Sequence, residues 1–139
     1  KDTDKEADQH SHKFTFCYYP HQGSLIESDT LQLAHNLNSP LMQFPVSGLP
    51  ENRQRSFYNI LGKNVKLEVI KKAEDGNGII IRMYETAGIN TEITFQTVEE
   101  WEQLFETDML ENALNQICEN ANEIKLLFKP FEIRTFRIV

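Results

Sequence analysis

Residues 65–85 read VKLEVIKKAEDGNGIIIRMYE, the clearest strand-turn-strand signal in the chain. Val65, Leu67 and Val69 alternate with Lys66 and Glu68, and Ile79, Ile81 and Met83 alternate with Ile80, Arg82 and Tyr84. Each run can therefore turn one apolar face towards a core. Between them, Asp75, Gly76, Asn77 and Gly78 tolerate the positive φ that hairpin turns require. The pattern predicts an antiparallel hairpin.

Upstream, Phe14, Phe16 and Tyr18 alternate with Thr15, Cys17 and Tyr19, a strand pattern closed by Pro20 and a turn at residues 21–23. Over residues 28–37 the period changes: Leu31, Ala34 and Leu37 recur every third place, Ser28 can cap and Asp29 suits the first turn. This predicts one short helix near residues 28–37. Residues 41–46 form a short extended apolar run, 47–55 a polar loop, and 56–61 a strand that turns at 62–64 into the hairpin. After a turn at 86–88, Ile93 and Phe95 mark a further strand within 89–96. Near the end, Ile124, Leu126 and Phe128 alternate, Lys129 and Pro130 bend the chain, and Phe131 and Ile133 continue, whereas Phe136 and Ile138 have the opposite parity. That shift predicts a β-bulge near Arg134 or Thr135, keeping both apolar pairs on the core face. About seven or eight antiparallel strands with short turns predict an all-β sandwich with a single helix.

A chain of 139 residues can bury one core without disulfides or a metal. Residues 1–11 have almost nothing to pack and read as a disordered or linker tail, leaving 12–139 as the domain. A start on Lys rather than Met reads as a fragment of something longer. The formal net charge of −7, with no basic stripe, argues against a nucleic-acid partner. No apolar run can cross a bilayer, and no signal-peptide pattern opens the chain, so no membrane partner is expected. Cys17 and Cys118 form no Cys-x-x-Cys pair and read as free thiols; with no Asn-x-Ser/Thr acceptor, the expected location is cytoplasmic.

The segment KKAEDGNGIIIRMYE resembles the Lys-x-Ala-Glu-Asp-Gly, hydrophobic run, Arg-x-Tyr-Glu signature in the C-terminal β-domain of α-mannosidases of glycoside hydrolase family 38. Further matching segments keep the family's order: HKFTFCYYPHQG at 12–23, LNSPL at 37–41, ETDMLE at 106–111 and FKPFEIRTFRIV at 128–139. The resemblance implies a parent enzyme that hydrolyses terminal α-mannosides with retention. It would use an Asp nucleophile, a second carboxylic acid and a zinc ion, all on an N-terminal catalytic domain whose motifs have no matching position here. The chain itself is then expected to hold no catalytic residue, metal or cofactor. It would pack on the catalytic and central domains of its own polypeptide and meet mannose-containing glycans only through the parent. The resemblance also bears on residues 98–122, where Trp101, Leu104, Phe105 and Leu114 among many Glu and Gln make a passable amphipathic helix. The family has a strand running into a loop there, and that is the expectation.

Glu74 and Asp75 read either as solvated turn carboxylates or as a tip that helps shape the parent's cleft. By the two-residue period, Arg82 shares a face with Ile80 and Tyr84 and lies opposite Glu85. Lys72, Glu74, Asp75, Arg82 and Glu85 are the candidate polar surface for substrate or interdomain contact, since interfaces favour Arg and Tyr. His10 and His12 form a His-x-His pair on a polar tail with no third ligand nearby; His21 reads as structural and His35 as a helix-surface residue. Tyr18, Tyr19, Tyr84 and Trp101 raise the alternative of an independent carbohydrate-binding module, although most aromatics of a small sandwich serve its core. A purely structural interaction domain is the third reading.

Overall fold

The structure is a computed structural model that describes residues 7, 9–45, 47, 48 and 54–139. The chain divides into two compact units, Lys1–Met42 and Gln43–Val139.

Among its described residues, the first unit contains one regular element, helix α1 at Thr30–Asn38. Asp29 occupies the N-cap position without a side-chain cap bond. Ser28, the expected cap, accepts the Thr30 amide on its hydroxyl at 3.3 Å, donates that hydroxyl to the Leu25 carbonyl at 2.9 Å and lies 2.7 Å from the Thr30 hydroxyl. No helix residue is buried. The strand expected at 14–19 does not form: residues 11–20 carry no helix or strand, and Phe14, Phe16 and Tyr18 are 80%, 84% and 89% exposed. A strand needs a neighbour for its backbone groups, and no described segment pairs with this one. Residues 41–45 also lack regular structure. Val46 and residues 49–53 of the expected loop lie outside the described residues.

The second unit holds strands β1 (Tyr58–Leu61), β2 (Val65–Lys72), β3 (Ile79–Glu85), β4 (Thr91–Thr107), β5 (Ala113–Phe128) and β6 (Ile133–Ile138). All pairings are antiparallel, in the order β1-β4-β6-β3-β2 with β5 on β4. Six strands suffice because β4 and β5, of 17 and 16 residues, each serve two parts of the sheet. The first half of β4 pairs with β1 and the end of β5, and its second half with β6 and the start of β5. Between the halves, β4 advances five positions from Gln96 to Trp101 while β5 steps back two from Glu123 to Ala121, leaving three surplus residues. Such a surplus bends a strand. The sheet thus wraps a single core that includes Ile81, Met83, Phe95, Trp101, Phe128 and Phe136, giving a sandwich that is nearly barrel-like. Residues 98–122 are therefore strand, loop and strand; the family reading expected the first strand and the loop but not that β5 begins at Ala113. Ladder partners on both sides of β4 override the helical propensity of this stretch.

Two register details differ from expectation. In β2, Leu67 pairs with Met83 but Val69 pairs with Arg82, so Glu68 is bulged and Val69 leaves the face of Leu67. In β6, no bulge occurs: pairing with β3 is continuous from Ile79 with Ile138 to Tyr84 with Ile133. Ile133 is instead 58% exposed. Arg134 takes the Phe136 side, its guanidinium 5.5 Å from the Phe128 ring centroid and 5.0 Å from that of Phe136. Glu106 binds it bidentately at 2.7 and 2.8 Å. Ring faces and a fork-matching carboxylate make this position favourable for an arginine, and the regular ladder is kept.

Candidate functional site: a polar network at the hairpin tip

Residues 73–78 join β2 to β3 as the expected turn. Gly76 and Gly78 adopt φ of +80° and +88°. The Asp75 carboxylate accepts the Asn77 amide at 2.9 Å, and Ala73 donates its amide to the Gly78 carbonyl at 3.0 Å. A Cβ added at Gly78 would lie 2.1 Å from the Ile138 carbonyl oxygen, so the tip is pressed against the end of β6.

That closeness brings Arg137 of β6 onto the tip. Its Nη1 donates to Asp75 Oδ2 at 2.7 Å, and its Nη2 to the Glu111 carbonyl at 2.8 Å. Glu111 belongs to the β4–β5 loop at 108–112, is 7% exposed, and sits at φ +69°. Its Oε1 meets Lys71 Nζ at 2.7 Å and its Oε2 accepts the Glu74 amide at 2.9 Å. The Glu74 carboxylate also binds Lys71. The loop holds this shape through Asp108, whose Oδ1 accepts the amides of Leu110 at 2.8 Å and Asn112 at 2.9 Å. Arg82 joins the same face, donating Nε to the Thr135 hydroxyl at 3.0 Å and reaching the Met109 carbonyl at 3.4 Å. Beneath the network, Ile80 is fully buried between its cross-strand neighbours Lys71 and Arg137.

The electrostatics follow from these contacts. The Lys71 ammonium, then the Glu74 amide, hold the Glu111 carboxyl below its usual range. The Asn77 amide and Arg137 do the same for Asp75. Glu111 and Glu74 in turn push the Lys71 ammonium up.

Of the five candidate residues, Glu74, Asp75 and Arg82 share this face. Lys72 is exposed beside it, but Lys71 enters the network, because Lys71 pairs with Ile80 on the Arg82 side whereas Lys72 pairs with Ile79. Glu85 faces the other way and is 1% exposed, so it is not a surface group of this chain. Its Oε1 accepts the Ala87 amide at 2.8 Å, and its Oε2 accepts those of Gly88 at 2.7 Å and Phe131 at 2.9 Å. Burial pushes its carboxyl up, but the amides of Phe131, Ala87, Gly88 and Ile89 outweigh burial and leave it below the ordinary value. The charge ties the β3–β4 turn to the β5–β6 turn.

The network is built of paired charges. A glycosidase needs a carboxylic acid with a raised pKa and a second carboxylate across a cleft. Asp75 and Glu111 are shifted the other way and are paired with Arg137 and Lys71. Cavities lie elsewhere: one of about 280 Å³ is lined by Phe57, Tyr58, Ile79, Trp101 and Ile138 among others, and one of about 210 Å³ by polar residues including Asn59 and Glu123. Among the described residues, no three His, Cys, Asp or Glu side chains are placed to hold a metal. Trp101, a candidate sugar platform, is 3% exposed and stacks on Phe95 at 6.1 Å within the core. No described helix is long and apolar enough to cross a membrane.

Residues 64–136 match the family described as "Glycosyl hydrolases family 38 C-terminal beta sandwich domain". Among similar proteins, "Alpha-mannosidase 2C1" of Mus musculus is 31% identical over 144 residues and "Alpha-mannosidase G" of Dictyostelium discoideum 30% over 149. "Alpha-mannosidase" of Saccharomyces cerevisiae is 29% identical over 164 residues. These alignments cover 100%, 100% and 99% of this chain but only 14%, 13% and 15% of the relatives. The chain is thus a member of the C-terminal β-sandwich domains of glycoside hydrolase family 38, a small part of the length of the α-mannosidases it resembles.

Proposed function

We propose that this chain is the non-catalytic C-terminal domain of a zinc-dependent, retaining α-mannosidase, and that its hairpin-tip face docks on the preceding domains and stabilises them, at the rim of the parent's cleft. The observation that carries this reading is convergence. Three segments of the family likeness, AEDG at 73–76, ETDMLE at 106–111 and FRIV at 136–139, meet in one network through Asp75, Glu111 and Arg137. Such a network fixes the shape of a surface whose outer members are Glu74, Asp75 and Arg82 while offering no acid-base pair of its own. Zinc would belong to the catalytic portion, where it would bind sugar hydroxyls. The free Cys17 and Cys118 support a reducing, cytoplasmic setting.

Hydrolysis of 4-nitrophenyl α-D-mannoside by the chain alone and by the full-length parent tests the assignment. The expected result is no turnover by the chain, and turnover by the parent that a zinc chelator removes. Turnover by the chain alone, or a parent inert towards α-mannosides, would overturn it.

A further inference from the structure

We infer that residues 14–19 form an edge strand completed by a sheet in the polypeptide that precedes this domain. The inference rests on the reading above for the existence of that polypeptide, and on separate residues for everything else. The segment FTFCYY has the composition and the two-residue period of a strand, with Phe14, Phe16 and Tyr18 on one side and Thr15, Cys17 and Tyr19 on the other. In the structure it has no ladder. Among the described residues, no backbone hydrogen bond satisfies residues 13–19, and the three aromatics on the apolar side are 80%, 84% and 89% exposed. The Phe14 and Phe16 rings lie 6.5 Å apart, as expected for side chains two residues apart on one side of an extended backbone.

Three neighbouring aromatics at such exposure exceed what a self-contained domain leaves in water. A strand-patterned segment without a ladder, carrying apolar side chains on both faces and three exposed aromatics on one, is the form that adds to an open sheet edge, where main-chain bonds give affinity and pockets for alternate side chains give register. The occupant of that face follows from chain length. The relatives are about seven times longer than this chain, and the family is described as a C-terminal domain, which supports a partner in polypeptide that precedes residues 14–19. The partner is therefore a sheet edge of the same polypeptide with an apolar face that receives Phe14, Phe16 and Tyr18. Thr15 and Cys17 then face away from that core, and Pro20 ends the strand because it cannot continue a ladder.

Residue-resolved hydrogen exchange of the full-length parent and of the 139-residue chain tests this. In the chain alone, the amides of residues 14–19 should exchange at nearly unprotected rates. In the parent, every second amide of that segment should slow by roughly 100-fold or more, because an edge strand bonds on one side only. Thr15→Pro and Phe16→Pro in the parent should then differ in effect: Pro is tolerated where the amide faces outward and is disruptive where it faces the partner strand. Fast exchange throughout the segment in the parent, or uniform slowing without alternation, would overturn the inference. Loss of the hairpin-tip docking would leave this pattern intact, so the two readings fail separately.

Discussion

Replacing Glu85 gives the sharpest test of how this domain is held together. A glutamine has the same shape but one acceptor oxygen. If that oxygen keeps the amides of Gly88 and Phe131, the new NH₂ group faces the Ala87 amide, donor against donor. One charge-assisted hydrogen bond is lost and one buried donor is orphaned, which together cost about 2–4 kcal/mol. Glu85→Ala strands the amides of Ala87, Gly88 and Phe131, besides that of Ile89, and should cost about 4–5 kcal/mol. At ~4–8 °C per kcal/mol, Glu85→Gln should lower Tm by roughly 8–32 °C at pH 7. The pH dependence has a definite sign. The folded carboxyl lies below its ordinary value of 4.5, so its contribution is present above pH 4.5 and is lost as pH falls through the lower folded value. Thermal unfolding followed by circular dichroism should therefore show a wild-type advantage over Glu85→Gln that is constant near neutrality and narrows in acid. A Tm change below about 2 °C, or a gap that does not narrow below pH 4.5, would refute this role for the side chain.

Other substitutions test the remaining contacts. Gly76→Ala places a side chain at φ +80° with nothing nearer than 3.9 Å and should cost about 1–2 kcal/mol. Gly78→Ala drives a Cβ to 2.1 Å from the Ile138 carbonyl and should exceed about 4 kcal/mol, so chemical denaturation should rank the two glycines in that order. Arg134→Ala removes the guanidinium from two rings and leaves Glu106 unpaired, costing about 2–3 kcal/mol, with Arg134→Lys recovering only part because it cannot form the fork. Equal stability of all three Arg134 forms in urea would remove that contact from the account.

The hairpin was legible because its turn chemistry is local: Asp75, Gly76, Asn77 and Gly78 are adjacent and each suits its place. Residues 98–122 were ambiguous because Trp101 and Leu104 suit a helix as well as a strand, and only the family likeness pointed to the ladder that decides between them. The network was half legible. Glu74 and Asp75 could be read from the turn, but Glu111 lies 37 residues from Glu74 and Arg137 lies 62 from Asp75, so no local pattern joins them. Choosing Lys72 rather than Lys71 follows from the bulge at Glu68, a register fact invisible in the residues themselves. Glu85 resembles any strand-end acid in sequence; its burial depends on the Phe131 amide, 46 residues away. The expected bulge in β6 failed for a related reason, since an arginine can occupy a core-side place when two rings and a carboxylate receive it.

The claim that the hairpin-tip face docks on the rest of an α-mannosidase is tested most directly by Glu74→Ala with Arg82→Ala in the full-length enzyme, measuring activity and Tm beside the same double substitution in the isolated chain. The account predicts a parent with reduced activity and a Tm drop larger than that of the isolated chain. Wild-type activity and Tm in the doubly substituted parent would contradict it.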